Sequence, residues 1–526
     1  MRAPAPATPD LGAVFPSNAV EERQRFEARR DHADRTVSGA QVAGGVLLLL
    51  AAGLLAWLNL VGTLVGLVAV VTLGYAVLMA FKSLVTADAV RHGPVRVAPW
   101  ELDKLDEESL PIYTILVPLY REARVVGRLL TSLRRLDYPR RKLQILLLCE
   151  ADDTPTLEAL YAANPGPPFE IVLVPPSYPR TKPKVCNVGL ERARGQYLVI
   201  YDAEDRPATD QLKKAVVAMR RLPRHVVCLQ ARLEYHNPQT NLLTRFFAAE
   251  YGTFYDMLLP SLARRGLPVP LGGTSNHFRT SALRALGGWD SYNVTEDLDL
   301  GMWIARRRWR VEILDSITWE EANSRLGNWV RQRSRWLKGY MQTYLVHMRS
   351  PLRLWRDLGP GNFLAFQLLV GATPLTTLCN PLLWGLTLAY AATGSPLIQE
   401  LFPAPVFYLG IVSMVLGNFI FAYYLVTGCL LLGNHRNAKW MLAAPLYWML
   451  MSVAAWKAAV QVVVRPHYWE KTRHGLVEEE LGEPVEDGGG WRPRPDPARV
   501  DRGGVRQPVG GPAAGREGAA PATSRG

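Results

Sequence analysis

The chain has 526 residues, 48% of them hydrophobic, and a formal net charge of +13 at pH 7. This length allows more than one domain with a buried core. The positive charge does not indicate nucleic-acid binding, because no stripe of basic residues with interleaved aromatics lies away from the apolar blocks. Attraction to anionic lipid headgroups or to a phosphorylated ligand explains it as well. The five cysteines show neither paired nor metal-ligand spacing, so we expect reduced thiols.

Two blocks of apolar residues flank a charged middle, which predicts a soluble domain between membrane segments. Residues 1–38 are polar and form a predicted cytoplasmic segment. Residues 39–84 hold two predicted transmembrane helices with a turn near 59–63, because 39–81 contain no charged side chain. Arginines precede this pair and Lys82 follows it, whereas the turn carries none. The positive-inside rule therefore predicts that both ends are cytoplasmic.

Residues 362–433 hold two more predicted transmembrane helices, joined by a loop without lysine or arginine. The apolar run at 438–464 contains Lys457 past its middle, and a lysine there is costly for a lipid-exposed span. We therefore predict an interfacial or re-entrant helix that leaves the C-terminus cytoplasmic, with a fifth transmembrane helix as the alternative. Residues 478–526 are rich in glycine, proline, arginine and glutamate without periodicity, which predicts a disordered tail.

Residues 100–325 alternate short β-rich runs with amphipathic helical patterns. Such alternation predicts an α/β fold with a largely parallel sheet and ligands at the carboxyl ends of its strands. The four predicted strands span residues 113–118, 143–149, 171–174 and 197–201. The polar residues just past these strands are therefore the first candidates for a functional site.

Carboxylates crowd the ends of the second and fourth predicted strands. Glu150 and Asp152 could accept hydrogen bonds from a base or a ribose, or lie on a solvated turn. Asp202, Glu204 and Asp205 would repel one another unless a cation neutralises them. Oxygen ligands on a short turn suit Mg²⁺ or Mn²⁺ shared with substrate phosphates, and an acidic helix cap is the alternative.

Two further stretches carry polar groups. Lys182 lies before a predicted helix that Asn187 opens, and a lysine before a helix N-terminus suits a diphosphate but could equally be solvated. Residues 272–277 read Gly-Gly-Thr-Ser-Asn-His, which predicts a flexible polar loop that lets the backbone approach a ligand.

The most distinctive pair of motifs is Thr295-Glu296-Asp297 and the later Gln332, Arg335 and Trp336. The first offers a carboxylate for general-base catalysis, with a helix N-cap as the alternative. The second places its three residues at i, i+3 and i+4, so they share one helix face. There the arginine can pair with a phosphate and the indole can stack on a sugar or a base.

In this order the motifs resemble those of the membrane-embedded processive family 2 glycosyltransferases, the group that contains cellulose, hyaluronan, chitin and poly-N-acetylglucosamine synthases. The resemblance covers about residues 40–476. It implies a GT-A fold, in which a mixed, mainly parallel sheet flanked by helices is inserted between transmembrane helices. It also implies that residues 326–361 form interfacial helices and that the α/β domain is cytoplasmic in a multi-pass protein of the plasma (inner) membrane.

The resemblance assigns a role to each motif. Asp297 matches the catalytic base, flanked by Glu296 and Thr295. The sequence departs from the family's Asp-Asp-Gly at the nucleotide-binding turn, so Glu150 and Asp152 both remain candidates there. Strict spacing pairs Asp202 with Glu204 as metal ligands, whereas residue type pairs it with Asp205. The other implied contacts are the nucleotide sugar for Lys182, Gln332 and Arg335, and the acceptor for Trp336.

Residues 465–477 resemble the gating loop that closes over the nucleotide in these synthases. Its implied working residues are Trp469, Lys471, Thr472 and Arg473, and a plain juxtamembrane basic segment is the alternative. The resemblance implies inverting transfer from a UDP-sugar to a growing β-linked polysaccharide that passes through the membrane. Transfer to a lipid acceptor and a non-catalytic polysaccharide channel are the alternatives. The sugar, the linkage and an export partner subunit are left open.

Overall fold

The structure, a computed structural model, describes residues 32–87, 89 and 93–471. The strands of the described residues are β1 Tyr113–Leu119, β2 Leu143–Glu150, β3 Phe169–Val174, β4 Tyr197–Ile200, β5 Arg206–Pro207, β6 Val226–Tyr235, β7 Asn276–Arg279 and β8 Arg310–Glu320.

The helices up to β8 are α1 Gly39–Leu58, α2 Leu60–Thr86, α3 Pro99–Asp103, α4 Val126–Arg134, α5 Thr154–Ala163, α6 Lys182–Arg192, α7 Gln211–Arg221, α8 Leu242–Thr253, α9 Leu259–Arg264, α10 Thr280–Ala285 and α11 Glu296–Arg306. Those after β8 are α12 Leu326–His347, α13 Pro351–Phe366, α14 Ala372–Thr393, α15 Pro396–Glu400, α16 Ala404–Leu431 and α17 Ala444–Val464. Two π-helical turns, Phe254–Leu258 and Gln367–Gly371, follow α8 and α13, and a 3₁₀ segment, His435–Ala443, precedes α17.

The strands form one mixed sheet in the order β3-β2-β1-β4-β7-β6-β8-β5. β3, β2, β1 and β4 are parallel, β7 runs antiparallel between β4 and β6, and β8 is parallel to β6. This confirms the predicted mixed, mainly parallel sheet flanked by helices, and the four predicted strands are β1 to β4. The sheet is larger than the sequence indicated, because β5, β6, β7 and β8 were not predicted. Residues 276–277 belong to β7 and are buried, so the prediction of a flexible loop over 272–277 was wrong for its last two residues.

Helices cover both faces of the sheet, which is why β1 reads as an almost unbroken apolar run. Ile115 and Val117 belong to the hydrophobic cluster on one face, which also contains Leu129 of α4. Leu116, between them, belongs to the cluster on the other face, with Leu190 of α6. The alternation follows from the two-residue period of a strand.

Five helical segments of the described residues are long and apolar enough to cross a membrane, namely Gly39–Leu58, Leu60–Thr86, Pro351–Thr393, Ala404–Leu431 and His435–Val464. The first break falls at Asn59, inside the predicted turn. Its side chain accepts a hydrogen bond of 2.8 Å from the Gly62 backbone N–H and so caps α2.

The last apolar segment contacts the α/β domain at both of its ends. Near its start, the Arg245 guanidinium lies 5.2 Å from the Trp440 ring centroid. Just beyond its end, His467 lies against Tyr292, with ring centroids 5.4 Å apart. An interfacial or re-entrant helix would have this geometry, whereas a single crossing would separate the two ends. The number of membrane crossings stays a prediction.

Candidate active site

A cavity of about 1740 Å³ opens at the carboxyl ends of β1, β2 and β4 and continues between the apolar helices. Most of the predicted site residues line it together, although they come from distant parts of the chain. They are Glu150, Lys182, Asp202, Glu204, Thr295, Glu296, Asp297, Gln332, Arg335, Trp336, Trp469 and Lys471. Asp152 and Asp205 are not among the lining residues. Thr472 and Arg473 lie outside the described residues.

Thr295-Glu296-Asp297 forms the start of α11, with Glu296 as the first helical residue. The Thr295 side chain makes no capping hydrogen bond. Asp297 accepts a hydrogen bond of 2.8 Å from the Leu298 backbone N–H. Burial raises the pKa of both carboxyls, and burial together with the neighbouring Asp297 raises that of Glu296 to about 8. A raised pKa makes Asp297 a better proton acceptor near neutral pH.

Gly339 lets α12 lie directly against this motif. A Cβ atom at residue 339 would lie 2.0 Å from the Thr295 hydroxyl oxygen. Thr295 is 7% exposed, so it has little room to withdraw. Sequence reasoning missed Gly339, although it follows Trp336 by only three residues on the same helix.

Lys182 joins three parts of the site. Its ammonium forms an ion pair with Asp202 and donates a hydrogen bond of 2.6 Å to the Gly273 carbonyl. Burial alone would lower the pKa of Lys182, but the carboxylates of Asp202 and Glu296 outweigh it and raise the pKa. Lys182 therefore carries a fixed positive charge between the start of α11 and residues 202–205, which we call the acidic turn.

Asp205 stabilises the acidic turn through two hydrogen bonds. It accepts hydrogen bonds from the Asp202 backbone N–H, at 2.7 Å, and from the Thr274 hydroxyl, and it is 2% exposed. Burial and the charges of Asp202 and Glu204 raise its pKa well above the ordinary value. Asp202 and Glu204 line the cavity instead, so the geometry favours the pair that strict spacing indicated.

The carboxylates of Asp202 and Glu204 suit Mg²⁺ or Mn²⁺, because hard cations prefer oxygen ligands. Among the described residues, no group of three or more His, Cys, Asp or Glu side chains is arranged to hold a metal ion. A cation held by two carboxylates would take its other ligands from substrate phosphates and water, as Mg²⁺ commonly does. The residues present therefore fit a metal that arrives with a phosphorylated donor.

Glu150 faces the cavity, whereas Asp152 turns away from it. One Glu150 oxygen pairs with Lys184 at 2.8 Å, and the other is buried without a hydrogen-bond partner among the described residues. Asp152 pairs with Arg180 at 2.6 Å instead. A buried carboxylate oxygen without a partner is costly unless a ligand donates to it. The geometry therefore favours Glu150 as the acceptor for a donor group of the ligand.

The three residues predicted on α12 have different surroundings. The side-chain oxygen of Gln332 accepts a hydrogen bond of 2.7 Å from the side-chain amide of Asn323. The Trp336 ring packs beside Phe247, with centroids 5.9 Å apart. Arg335 is half-buried close to Glu296 and Asp297, whose charges partly offset the desolvation that lowers the pKa of Arg335.

Residues 465–471, which we call the terminal segment, lie along the cavity and are held at several points. The Tyr468 carbonyl accepts a hydrogen bond of 2.6 Å from Lys338 of α12. Lys471 pairs with Glu122 at 2.8 Å and donates to the Tyr120 carbonyl at the end of β1. Lys457, the residue that made a lipid-exposed span costly, pairs with Glu470 at 2.8 Å. Its charge is therefore compensated inside the protein.

Between the apolar helices, the cavity is lined by aliphatic side chains together with hydroxyl, amide and aromatic ones. The hydroxyl, amide and aromatic residues include Thr72, Tyr75, Asn380, Trp384, Ser413 and Tyr424.

Residues 111–339 match the family model described as glycosyltransferase like family 2. Residues 111–339 therefore form a domain that is similar to family 2 glycosyltransferases. The matched residues contain the whole sheet and every predicted site residue up to Trp336.

Two curated relatives whose names give different products are similar to this chain. It is 27% identical over 257 residues to the beta-monoglucosyldiacylglycerol synthase of Trichormus variabilis, covering 48% of this chain and 54% of the relative. It is 24% identical over 295 residues to a probable glucomannan 4-beta-mannosyltransferase of Arabidopsis thaliana, covering 50% of this chain and 52% of the relative. The chain thus spans about half the length of these relatives.

A mannosyltransferase from Pyrobaculum calidifontis, solved in complex with GDP-Man and Mn²⁺, is one similar structure. It shares 19% sequence identity with a TM-score of 0.48, over 76% of this chain and 99% of that chain.

Proposed function

We propose that this glycosyltransferase moves a sugar from a UDP-sugar onto the non-reducing end of a growing β-linked polysaccharide, with inversion at the anomeric carbon, and passes the product through the membrane. The observation that carries the proposal is one cavity that runs from Asp297 to the space between the apolar helices. A soluble acceptor would not require such a path, whereas a polymer that leaves across the membrane does.

In this proposal Asp297 removes the proton from the acceptor hydroxyl, which then attacks the anomeric carbon from the face opposite UDP. Burial raises the pKa of Asp297, which favours proton uptake. Glu150 accepts a hydrogen bond from the nucleotide, while Lys182 and Arg335 lie where negative charge develops on the leaving diphosphate. A Mg²⁺ or Mn²⁺ ion held by Asp202 and Glu204 supplies further charge stabilisation when bound.

Trp336 supplies a flat surface for the acceptor sugar beside the membrane part of the cavity. The terminal segment, with Trp469 and Lys471, covers the donor end. We further propose a multi-pass protein of the plasma (inner) membrane with its α/β domain in the cytoplasm, where nucleotide sugars and metal ions are available.

The test uses the full-length protein in membranes, incubated with a panel of labelled UDP-sugars and Mn²⁺. Asp297→Asn should lower incorporation by at least about 100-fold, as expected for loss of a general base. Asp210→Asn is the matched control, because Asp210 forms a surface ion pair with Lys214 on α7 and does not line the cavity. Normal polymer from Asp297→Asn would refute the assignment.

Transfer to a lipid acceptor is the second candidate, favoured by the similarity to a beta-monoglucosyldiacylglycerol synthase. The two functions differ in the product. A polymer of many sugars on a gel supports the first, whereas label that extracts entirely into organic solvent as a single-sugar lipid supports the second. Absence of UDP release with every UDP-sugar would instead favour a non-catalytic channel.

A further inference from the structure

Arg333, which precedes Arg335 and Trp336 on α12, has surroundings unlike those of its neighbours. Its side chain is 8% exposed. The guanidinium carbon lies 4.2 Å from the Phe247 ring centroid and 4.8 Å from that of Trp336. Arginine favours such positions over aromatic faces because the ring quadrupole attracts the cation. The guanidinium of Arg333 therefore lies between the rings of Phe247 and Trp336.

The same guanidinium is anchored to two other helices. It forms an ion pair with Glu250 of α8 and donates a hydrogen bond of 3.0 Å to the Tyr447 hydroxyl of α17. Tyr447 in turn donates a hydrogen bond of 2.5 Å to the same Glu250 oxygen. The ion pair with Glu250 and the hydrogen bond to Tyr447 therefore hold the guanidinium in place beside the ring of Trp336.

A buried ion pair is weak evidence for stability, since the cost of removing both charges from water can exceed their attraction. Location distinguishes this pair from an ordinary structural one. Arg333, Glu250 and Trp336 all line the cavity. The cluster thus lies where the acceptor sugar is proposed to stack, and away from Glu150 and Lys182 at the donor end.

We propose that Arg333 is a positioning residue that fixes the orientation of the Trp336 indole for the acceptor sugar. The inference rests on the proposed function, in which Trp336 binds the acceptor. It separates Arg333 from Arg335, which lies beside Glu296 and Asp297. Arg333 acts through the indole, so its loss should affect acceptor use and leave donor cleavage intact.

The test compares Arg333→Met and Arg333→Lys in the full-length protein. Acceptors are oligosaccharides released from the wild-type product by partial acid hydrolysis. For Arg333→Met, we expect the acceptor concentration that gives half-maximal transfer to rise roughly tenfold, the size of a lost cation–π contact. UDP release without acceptor should stay within about twofold of wild type, because that reaction needs only the donor site. The half-maximal acceptor concentration of Arg333→Lys should lie between those of wild type and Arg333→Met, since lysine keeps the charge.

Arg306→Met is a matched control. Arg306 is also buried, lies 4.2 Å from a tryptophan ring (Trp303) and pairs with a carboxylate (Asp357) at 2.7 Å, but it does not line the cavity. Should Arg333→Met not fold, Tyr447→Phe removes one anchor without touching the cavity and should shift acceptor dependence in the same direction by a smaller factor.

Equal loss of transfer and UDP release in Arg333→Met would overturn the inference, because a merely structural residue behaves in that way. The same acceptor shift in Arg306→Met would also overturn it. If the wild type releases UDP but does not extend the oligosaccharides, the proposed polymerase function fails and the inference falls with it. A wild type that extends them beside an Arg333→Met variant with unchanged acceptor dependence refutes the inference alone.

Discussion

The guanidinium of Arg335 lies 4.6 Å from the ring centroid of Trp469. This contact joins α12 to the terminal segment, which follows the last apolar helix. Both side chains line the cavity beside the start of α11. The described part of the predicted gating loop therefore lies along the cavity and contacts Arg335.

This contact predicts the effect of Trp469→Ala. Loss of the ring removes a stacking partner of Arg335, so we expect the Michaelis constant for the donor to rise roughly tenfold, a typical cation–π contribution. Trp469→Phe should raise this Michaelis constant by a smaller factor, because it keeps an aromatic ring. Trp100→Ala serves as the control, since Trp100 is exposed and lies outside the cavity. Steady-state kinetics with varied UDP-sugar measure the change, and an unchanged constant in Trp469→Ala would argue against a gating role.

The acidic turn should separate into metal-binding and structural carboxylates. Asp202→Asn and Glu204→Gln remove oxygen ligands, so we expect both to raise the Mn²⁺ concentration that gives half-maximal activity. Asp205→Ala leaves the Asp202 N–H without its acceptor and leaves the Thr274 hydroxyl only the Ile200 carbonyl, which should cost about 1–3 kcal/mol of stability. Metal titrations and thermal unfolding measure the two effects. A raised metal requirement in Asp205→Ala but not in Glu204→Gln would reverse the assignment.

Gly339→Ala should disrupt the packing of α12 against α11. The new Cβ would meet the Thr295 side chain, and overpacking of this kind costs typically about 1–3 kcal/mol. Activity should fall with stability, because Thr295 adjoins Glu296 and Asp297. Gly327→Ala is a matched control on the same helix, where a Cβ meets nothing within 4 Å. Adding Thr295→Ala removes the two atoms at 2.0 and 2.4 Å but leaves the Cβ at 2.6 Å, so it should restore part of the stability. Thermal unfolding measures the effect, and equal stability of Gly339→Ala and Gly327→Ala would contradict the prediction.

The buried carboxyl of Glu296 predicts a pH-dependent stability. Burial and, after it, the charge of Asp297 raise its pKa from the ordinary 4.5 to about 8 in the folded protein, although Lys182 and Arg335 act in the opposite direction. The stability that the neutral form contributes is therefore fully present below pH 4.5 and is lost as the pH rises towards 8. Glu296→Gln stays neutral at every pH, so it should lose less stability than wild type over this interval. Thermal unfolding across this range measures the difference, and parallel curves would contradict the prediction.

Local patterns in the sequence were sufficient for the first half of the sheet. The strands β1, β2 and β4 are buried on both faces, and β3, at the edge of the sheet, is also mostly apolar although Leu173 is exposed. Each therefore reads as a short apolar run that stood out against its polar neighbours. β7 did not stand out, because its residues Asn276 and His277 are polar. The Asn276 amide nitrogen and both His277 ring nitrogens find hydrogen-bond partners inside the protein. The Tyr113 hydroxyl lies 2.7 Å from His277, a partner 164 residues away that no local pattern reveals.

The site shows the same division between chemistry and placement. Carboxylates, a lysine and an arginine–tryptophan pair could be assigned from residue type and spacing, since phosphate, metal and sugar recognition each need particular groups. The choice between Glu204 and Asp205, and that between Glu150 and Asp152, needed the tertiary structure. Both choices depend on which way a side chain turns.

The sequence by itself determined the order of apolar and polar segments, the class of fold and the chemical groups available, because hydrophobic periodicity and residue chemistry are local properties. Only the tertiary structure decided which carboxylates face the cavity, that Gly339 brings α12 against Thr295, and that Lys457 is compensated by Glu470. Each of these depends on contacts between segments far apart in the chain, and the free energy of burial that fixes them is a property of the packed protein.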